Sequence, residues 1–157
     1  MSAHLPGRPA PATGPDPTSP GYRTVTVRRE PGGVLQATNV RGGTLHVGSG
    51  DGEGFTPTEL LLTAIASCTA ADVDALTARR AEPTAFDVQV EAEKIRDDDG
   101  NRVDDLTVTF RVTFPAGPDG DAAREVLPAA VQRSHDRLCT VGRTVERATP
   151  IATRIEG

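Results

Sequence analysis

Cys68 and Cys139 are the side chains in this sequence best suited to covalent chemistry. A thiolate is a strong nucleophile, and peroxide oxidises it to a sulfenic acid that a second thiol captures reversibly as a disulfide. Two cysteines suffice for such a cycle. In a secreted chain the same pair would suggest one structural disulfide. In the cytosol it is either two buried thiols or a redox couple, and a free Cys is most often simply buried. His135 lies four residues before Cys139, so the two could share a helix face as half of a metal site. Without a fourth clear ligand, no metal is expected. His46 falls in a β-branched run and reads as a sheet residue. The glycines of residues 48–54 lack the Gly-Lys-Ser/Thr ending of a phosphate loop.

The rest of the chain must position these thiols. Its 157 residues predict one domain. Residues 1–21 are expected to stay outside it as a disordered tail. They hold Pro6, Pro9, Pro11, Pro15, Pro17 and Pro20 and almost no large apolar side chain, so they cannot offset their ordering entropy by burial. The tail has no apolar central run, so it does not read as a secretory signal. No stretch is expected to reach the roughly 20 apolar residues of a membrane span. These readings place the chain in the cytoplasm. The net charge is -5, and the basic residues, all Arg except Lys94, are scattered among more numerous acids. Without a basic stripe or an aromatic platform, no nucleic-acid partner is expected.

Residues 22–29, 34–40 and 44–47 read as three short strands separated by Gly-Gly turns. The strongest helix spans about 56–80. Thr56 suits its N-cap, Pro57 its first turn, and Glu59 completes a capping box. Its first turns are apolar nearly all round, which predicts burial on every side and, in so small a domain, a partner subunit. Two long strands follow. Phe86, Val88, Val90 and Ala92 share one face of the first, and Leu106, Val108, Phe110, Val112 and Phe114 one face of the second. The polar link at 96–101 joins them as a hairpin. A helix over 121–137, which Pro128 should interrupt or kink, leads to a short helix at 139–147 and a closing strand at 150–156. The order βββ–α–ββ–αα–β is an α+β domain over residues 22–157.

Two segments of this pattern resemble the OsmC/Ohr family of stress-response thiol proteins. Thr56-Pro57-Thr58-Glu59-Leu60-Leu61-Leu62, leading to Ala66-Ser67-Cys68-Thr69-Ala70-Ala71-Asp72-Val73, looks like its first signature. Ser134-His135-Asp136-Arg137-Leu138-Cys139-Thr140-Val141 looks like its second. The resemblance implies an intertwined homodimer, with antiparallel sheets wrapped around long central helices and active sites at the subunit interface. Cys68 would attack an organic hydroperoxide or hydrogen peroxide, and Cys139 would resolve the sulfenic acid. An external dithiol would then reduce the disulfide, with no metal or organic cofactor. An Arg would stabilise the thiolate, and a Glu near the start of the long helix would hold that Arg.

Arg28, Arg29 and Arg41 lie where the family keeps its Arg, and Arg29 is the choice by position. Arg143, one turn after Cys139, is another source of charge. The family's Glu falls one place earlier, at Thr58. At about 100° per residue, Glu59 points roughly 180° away from Cys68, so capping alone would explain it. Asp72, one turn after Cys68, would oppose a thiolate if it faces the same way. A non-enzymatic reading therefore stands beside the peroxidase: the same dimer binding a small apolar ligand or serving a structural role, its cysteines inert.

Overall fold

A computed structural model describes residues 14–156. Most of the expected Pro-rich tail, residues 1–13, lies outside the described residues, as does Gly157. Residues 14–21 form exposed bends and turns. The rest is an α+β structure with two antiparallel sheets.

The first sheet is three-stranded, in the order β1 (Val25–Arg29), β2 (Leu35–Asn39), β3 (Thr44–Val47). Its turns are locally built. Glu30 N–H bonds to Val34 O (2.7 Å) around a short 3-10 turn, Pro31–Gly33. Asn39 Oδ1 accepts from the N–H groups of Arg41 (2.9 Å) and Gly43 (3.1 Å). The register pairs Val27 with Ala37 and Ala37 with Leu45, and pairs Arg29 with Leu35 and Leu35 with Val47. Directly opposed residues project on one side of a sheet, so Val25, Val27, Leu35, Ala37, Leu45 and Val47 form an apolar face that carries Arg29 at its edge. Arg28, Gln36 and His46 lie on the other face, where Gln36 Nε2 and His46 Nε2 are 3.2 Å apart.

The long helix is α1 (Pro57–Thr77). Its start follows the sequence: Thr56 Oγ1 accepts from Glu59 N–H (3.3 Å), and Glu59 Oε2 accepts from Thr56 N–H (2.7 Å). Ile65, Thr69, Val73 and Thr77 form its one fully buried stripe. The other apolar positions are only half-buried or exposed, so burial on every side is not reached within one chain. By length and composition α1 is apolar enough to cross a membrane, contrary to the expectation that no stretch would be. Its length and composition explain the difference: 21 residues rich in Leu, Ile, Ala and Val, with few charged side chains. Thr69 and Thr77 each donate to the carbonyl four residues earlier, at 3.0 Å. The core helix of a globular domain passes the same test.

The hairpin of β4 (Ala85–Asp97) and β5 (Gly100–Thr113) is longer than expected. Pairing continues to Asp97 opposite Gly100, which leaves only Asp98 and Asp99 in the turn. The expected face forms, with Val88 opposite Phe110 and Phe86 opposite Val112. A bulge between Glu91 and Glu93 sets one extra β5 residue against Ala92, near Asp105, whose φ is 51°. The helix α2 (Pro118–Arg133) starts earlier than expected, with Pro118 in its first turn. A Cβ on Gly120 would lie 1.8 Å from Pro115 O, so only glycine allows this close approach of loop and helix. The helix runs on through Pro128, which lies on its exposed side, where water can replace the lost bond. A π-helical turn, Ser134–Leu138, then leads into α3 (Thr140–Glu146).

The expected strand at 150–156 does not form. Ile151 and Ile155 are 92% and 96% exposed, and a strand without a partner has no ladder to stabilise it. The core is small: Ile65, Val73, Phe114, Ala123, Ala130 and Cys139, with Thr69, Thr77 and Ser134. It lies where α1 packs on α2, α3 and the π-turn, while β4 flanks α1. The β1–β3 sheet has no extended packing on these elements.

Candidate active site

Within α1, Cys68 and Asp72 stand one turn apart on the side that meets the π-turn and α3. Cys68 is half-buried. Cys139 is the N-cap of α3 and only 1% exposed. Both are free thiols. Cys68 lies close enough to act on the Cys139 thiol.

Three hydrogen bonds fix Cys139. Its N–H donates to Ser134 O (2.9 Å), its carbonyl accepts from Arg143 N–H (3.1 Å), and its Sγ accepts from Gly142 N–H (3.2 Å). A Cβ on Gly142 would lie 3.3 Å from that sulfur, so a glycine keeps this approach unstrained. Ser134 is buried, and its Oγ donates to Asp72 Oδ2 at 2.9 Å. Asp72 does therefore face the cysteines. Burial pushes the Cys139 thiol above its ordinary range; the nearby Cys68 and the Asp72 charge push the same way, against the Gly142 N–H. Cys139 is thus held as a neutral thiol, and Cys68 is the more accessible of the two.

An apolar cleft of about 440 Å³ opens beside Cys139, walled by Ile65, Leu106, Phe110, Val131 and Val145. At its rim His135 Nδ1 lies 3.7 Å from Glu146 Oε1, both exposed. Arg143 donates to the Asp136 carbonyl and so closes the π-turn. Among the described residues no three His, Cys, Asp or Glu side chains converge as a metal cage.

The structure brings Cys68 and Cys139 together but places the other two candidates elsewhere within one chain. Glu59 is exposed in the capping box, where bonds from Thr56 N–H and Oγ1 hold its carboxyl below the usual range. Arg29 is exposed at the end of β1, on the sheet that has no extended packing on α1. Ser134 and Gly142 were not singled out from the sequence. Gly142 had a local signal, since the third residue after an N-cap supplies its N–H. Ser134 had none, because its partner lies 62 residues away.

Residues 50–154 match the family described as OsmC-like protein. The structure is similar to an OsmC-like protein from Mycoplasma pneumoniae, with a TM-score of 0.64 at 13% identity over 82% of this chain and 89% of that one. A hypothetical protein from Aquifex aeolicus VF5 gives 0.64 at 19% identity, over 82% and 89%. The organic hydroperoxide resistance protein OhrB of Bacillus subtilis gives 0.50 at 16% identity, over 78% and 90%. At such identities the likeness is one of fold. No curated protein matches the sequence.

Proposed function

The chain belongs to the OsmC family, and from that premise we propose that it is a homodimeric, cysteine-based hydroperoxide reductase. The observation that carries this reading is the meeting of the half-buried Cys68 and the buried Cys139 across α1 and α3, both free thiols. The structural neighbour from Bacillus subtilis, named for organic hydroperoxide resistance, points the same way. In the cycle, Cys68 thiolate attacks the terminal peroxide oxygen. The O–O bond breaks, an alcohol leaves, and Cys68 becomes a sulfenic acid. Cys139 attacks that sulfur, hydroxide leaves as water, and a disulfide remains. An external dithiol returns both thiols, and no metal or organic cofactor takes part. Such a cycle suits the reducing cytoplasm, where we place the protein.

A thiolate at Cys68 needs a cation. Arg29 sits on the apolar face of the β1–β3 sheet, and Val25 and Val27 on that face are 63% and 55% exposed in one chain. In the dimer this face covers the half-exposed side of a partner's α1 and delivers Arg29 to the partner's site. Arg28, on the opposite polar face, cannot do so at the same time. Glu59 either orients that Arg or serves only as the cap seen here. Apolar groups at the dimer interface would hold organic hydroperoxides in preference to hydrogen peroxide; the apolar cleft of one chain is lined by Cys139 and not by Cys68.

The test is to treat reduced protein with cumene hydroperoxide and count free thiols, alongside Cys68→Ser and Cys139→Ser. The expected result is rapid loss of both thiols in the wild type and a trappable sulfenic acid in Cys139→Ser. Thiols that survive for hours would sink the reading and leave a ligand-binding or structural dimer with inert cysteines.

A further inference from the structure

We propose that Asp72 is a positioning residue which, through Ser134, holds Cys139 beside Cys68 as the proton-carrying member of the pair. The assignment rests on the peroxidase reading for its place in a reaction, but its geometry stands alone. Asp72 Oδ2 accepts from the buried Ser134 Oγ at 2.9 Å, and the same residue's carbonyl accepts from Cys139 N–H at 2.9 Å. A single serine therefore ties the carboxylate on α1 to the residue that caps α3, across the π-turn. π-Turns inside helices are frequent at functional sites. The Ser134–Leu138 turn is what brings the Ser134 carbonyl to the Cys139 N–H.

The charges around Cys139 support the protonation part. From α1 it meets Cys68 and Asp72. From the π-turn comes His135 and from α3 Glu146, which pair with each other at the cleft rim. The Arg143 guanidinium is turned to the Asp136 carbonyl. The β5 residues that line the cleft, Leu106, Thr107, Val108 and Phe110, carry no charge. Burial and the Asp72 carboxylate both favour the neutral thiol over the thiolate.

A neutral Cys139 supplies what the first step lacks. When Cys68 thiolate takes the terminal oxygen of an organic hydroperoxide, the leaving alkoxide needs a proton. Cys139 gives up its S–H, so an alcohol departs and Cys139 becomes the thiolate. That thiolate then attacks the Cys68 sulfenic acid, the S–O bond breaks, hydroxide leaves, and the S–S bond forms. One thiol thus serves first as acid and then as nucleophile.

The experiment uses the full chain and two readouts independent of peroxide turnover. In a Cys68→Ser background, Cys139 is titrated by its ultraviolet thiolate absorbance. Asp72→Asn, which keeps an acceptor for Ser134 Oγ, is expected to lower the midpoint by about one pH unit, the order of effect of one adjacent like charge. Ser134→Ala keeps the charge and should keep the midpoint high. With both cysteines present, Ser134→Ala should slow disulfide closure by diamide about fivefold, the loss of one positioning hydrogen bond. Diamide is an azo oxidant that needs no peroxidase chemistry. An unmoved midpoint in Asp72→Asn, or unslowed closure in Ser134→Ala, would overturn the assignment. A wild type that closes with diamide yet ignores cumene hydroperoxide defeats the peroxidase reading alone.

Discussion

The β1–β3 sheet and the helical half of this chain each carry an apolar face, yet the two faces end in opposite states. Around α1, α2 and α3, Val73, Ala123 and Cys139 are fully enclosed, and every described buried side-chain polar atom has a partner. On the sheet, Val25 and Val27 stay more than half exposed, although the backbone ladder is complete. Hydrogen bonds make a sheet, but a sheet becomes stable only when one face is covered. The helical half is therefore a core in itself, and the sheet carries the apolar face that the proposed dimer would cover. The candidate residues divide along the same line, with Cys68 and Cys139 in the first region and Arg29 in the second.

The contrast can be broken most directly in the core. Ile65→Ala should cost roughly 3 kcal/mol, as large-to-small changes at buried positions do, equally at all protein concentrations; urea unfolding at two dilutions checks this. Val27→Asp on the sheet should act the other way. It should leave the helical half folded but weaken dimer formation at least tenfold, about 1.4 kcal/mol, with stability then depending on concentration. Sedimentation velocity would show it, and an undisturbed dimer would mean that this face is not the interface. Thr56→Ala, at the helix start, should cost about 1 kcal/mol by removing half of the capping box.

The smallest effects are those of pH. The carboxyl of Glu59 is held below its ordinary range by Thr56. Its contribution is therefore complete above the usual carboxylate pKa and is lost as pH falls through the lowered value. Glu59→Gln should flatten the acid limb of the stability curve without touching the alkaline limb. Cys139 is raised, so its contribution is complete below the ordinary thiol pKa and is lost as pH rises through the folded value. Cys139→Ser should remove that alkaline slope. A mutant that flattened both limbs would contradict the separation of cap and thiol.

What could be read in the sequence was what neighbours a few residues apart decide. The capping box joins Thr56 and Glu59, three positions apart, and it formed as written. The rotation of Glu59 away from Cys68 followed from the helical angle alone, and the strand alternation at Phe86, Val88 and Val90 from the pleat. Features set by distant partners are not legible there. The hairpin turn shrank to two residues because cross-strand bonding runs on to Asp97 and Gly100. The strand at 150–156 found no ladder. The helix after Pro115 began early because loop and Gly120 pack together.

The same division holds for the site. Sequence by itself determined that two thiols exist, that one lies in mid-helix and the other opens a short helix, and that Asp72 follows the first by one turn. Only tertiary structure decided that the thiols meet, that Asp72 faces them, and that Ser134 ties the two segments across 62 residues. The physical reason is range. Propensity, capping and periodicity are written within a turn or two of chain, whereas a thiol's proton depends on burial and on charges that only the folded packing of α1 against α3 brings near.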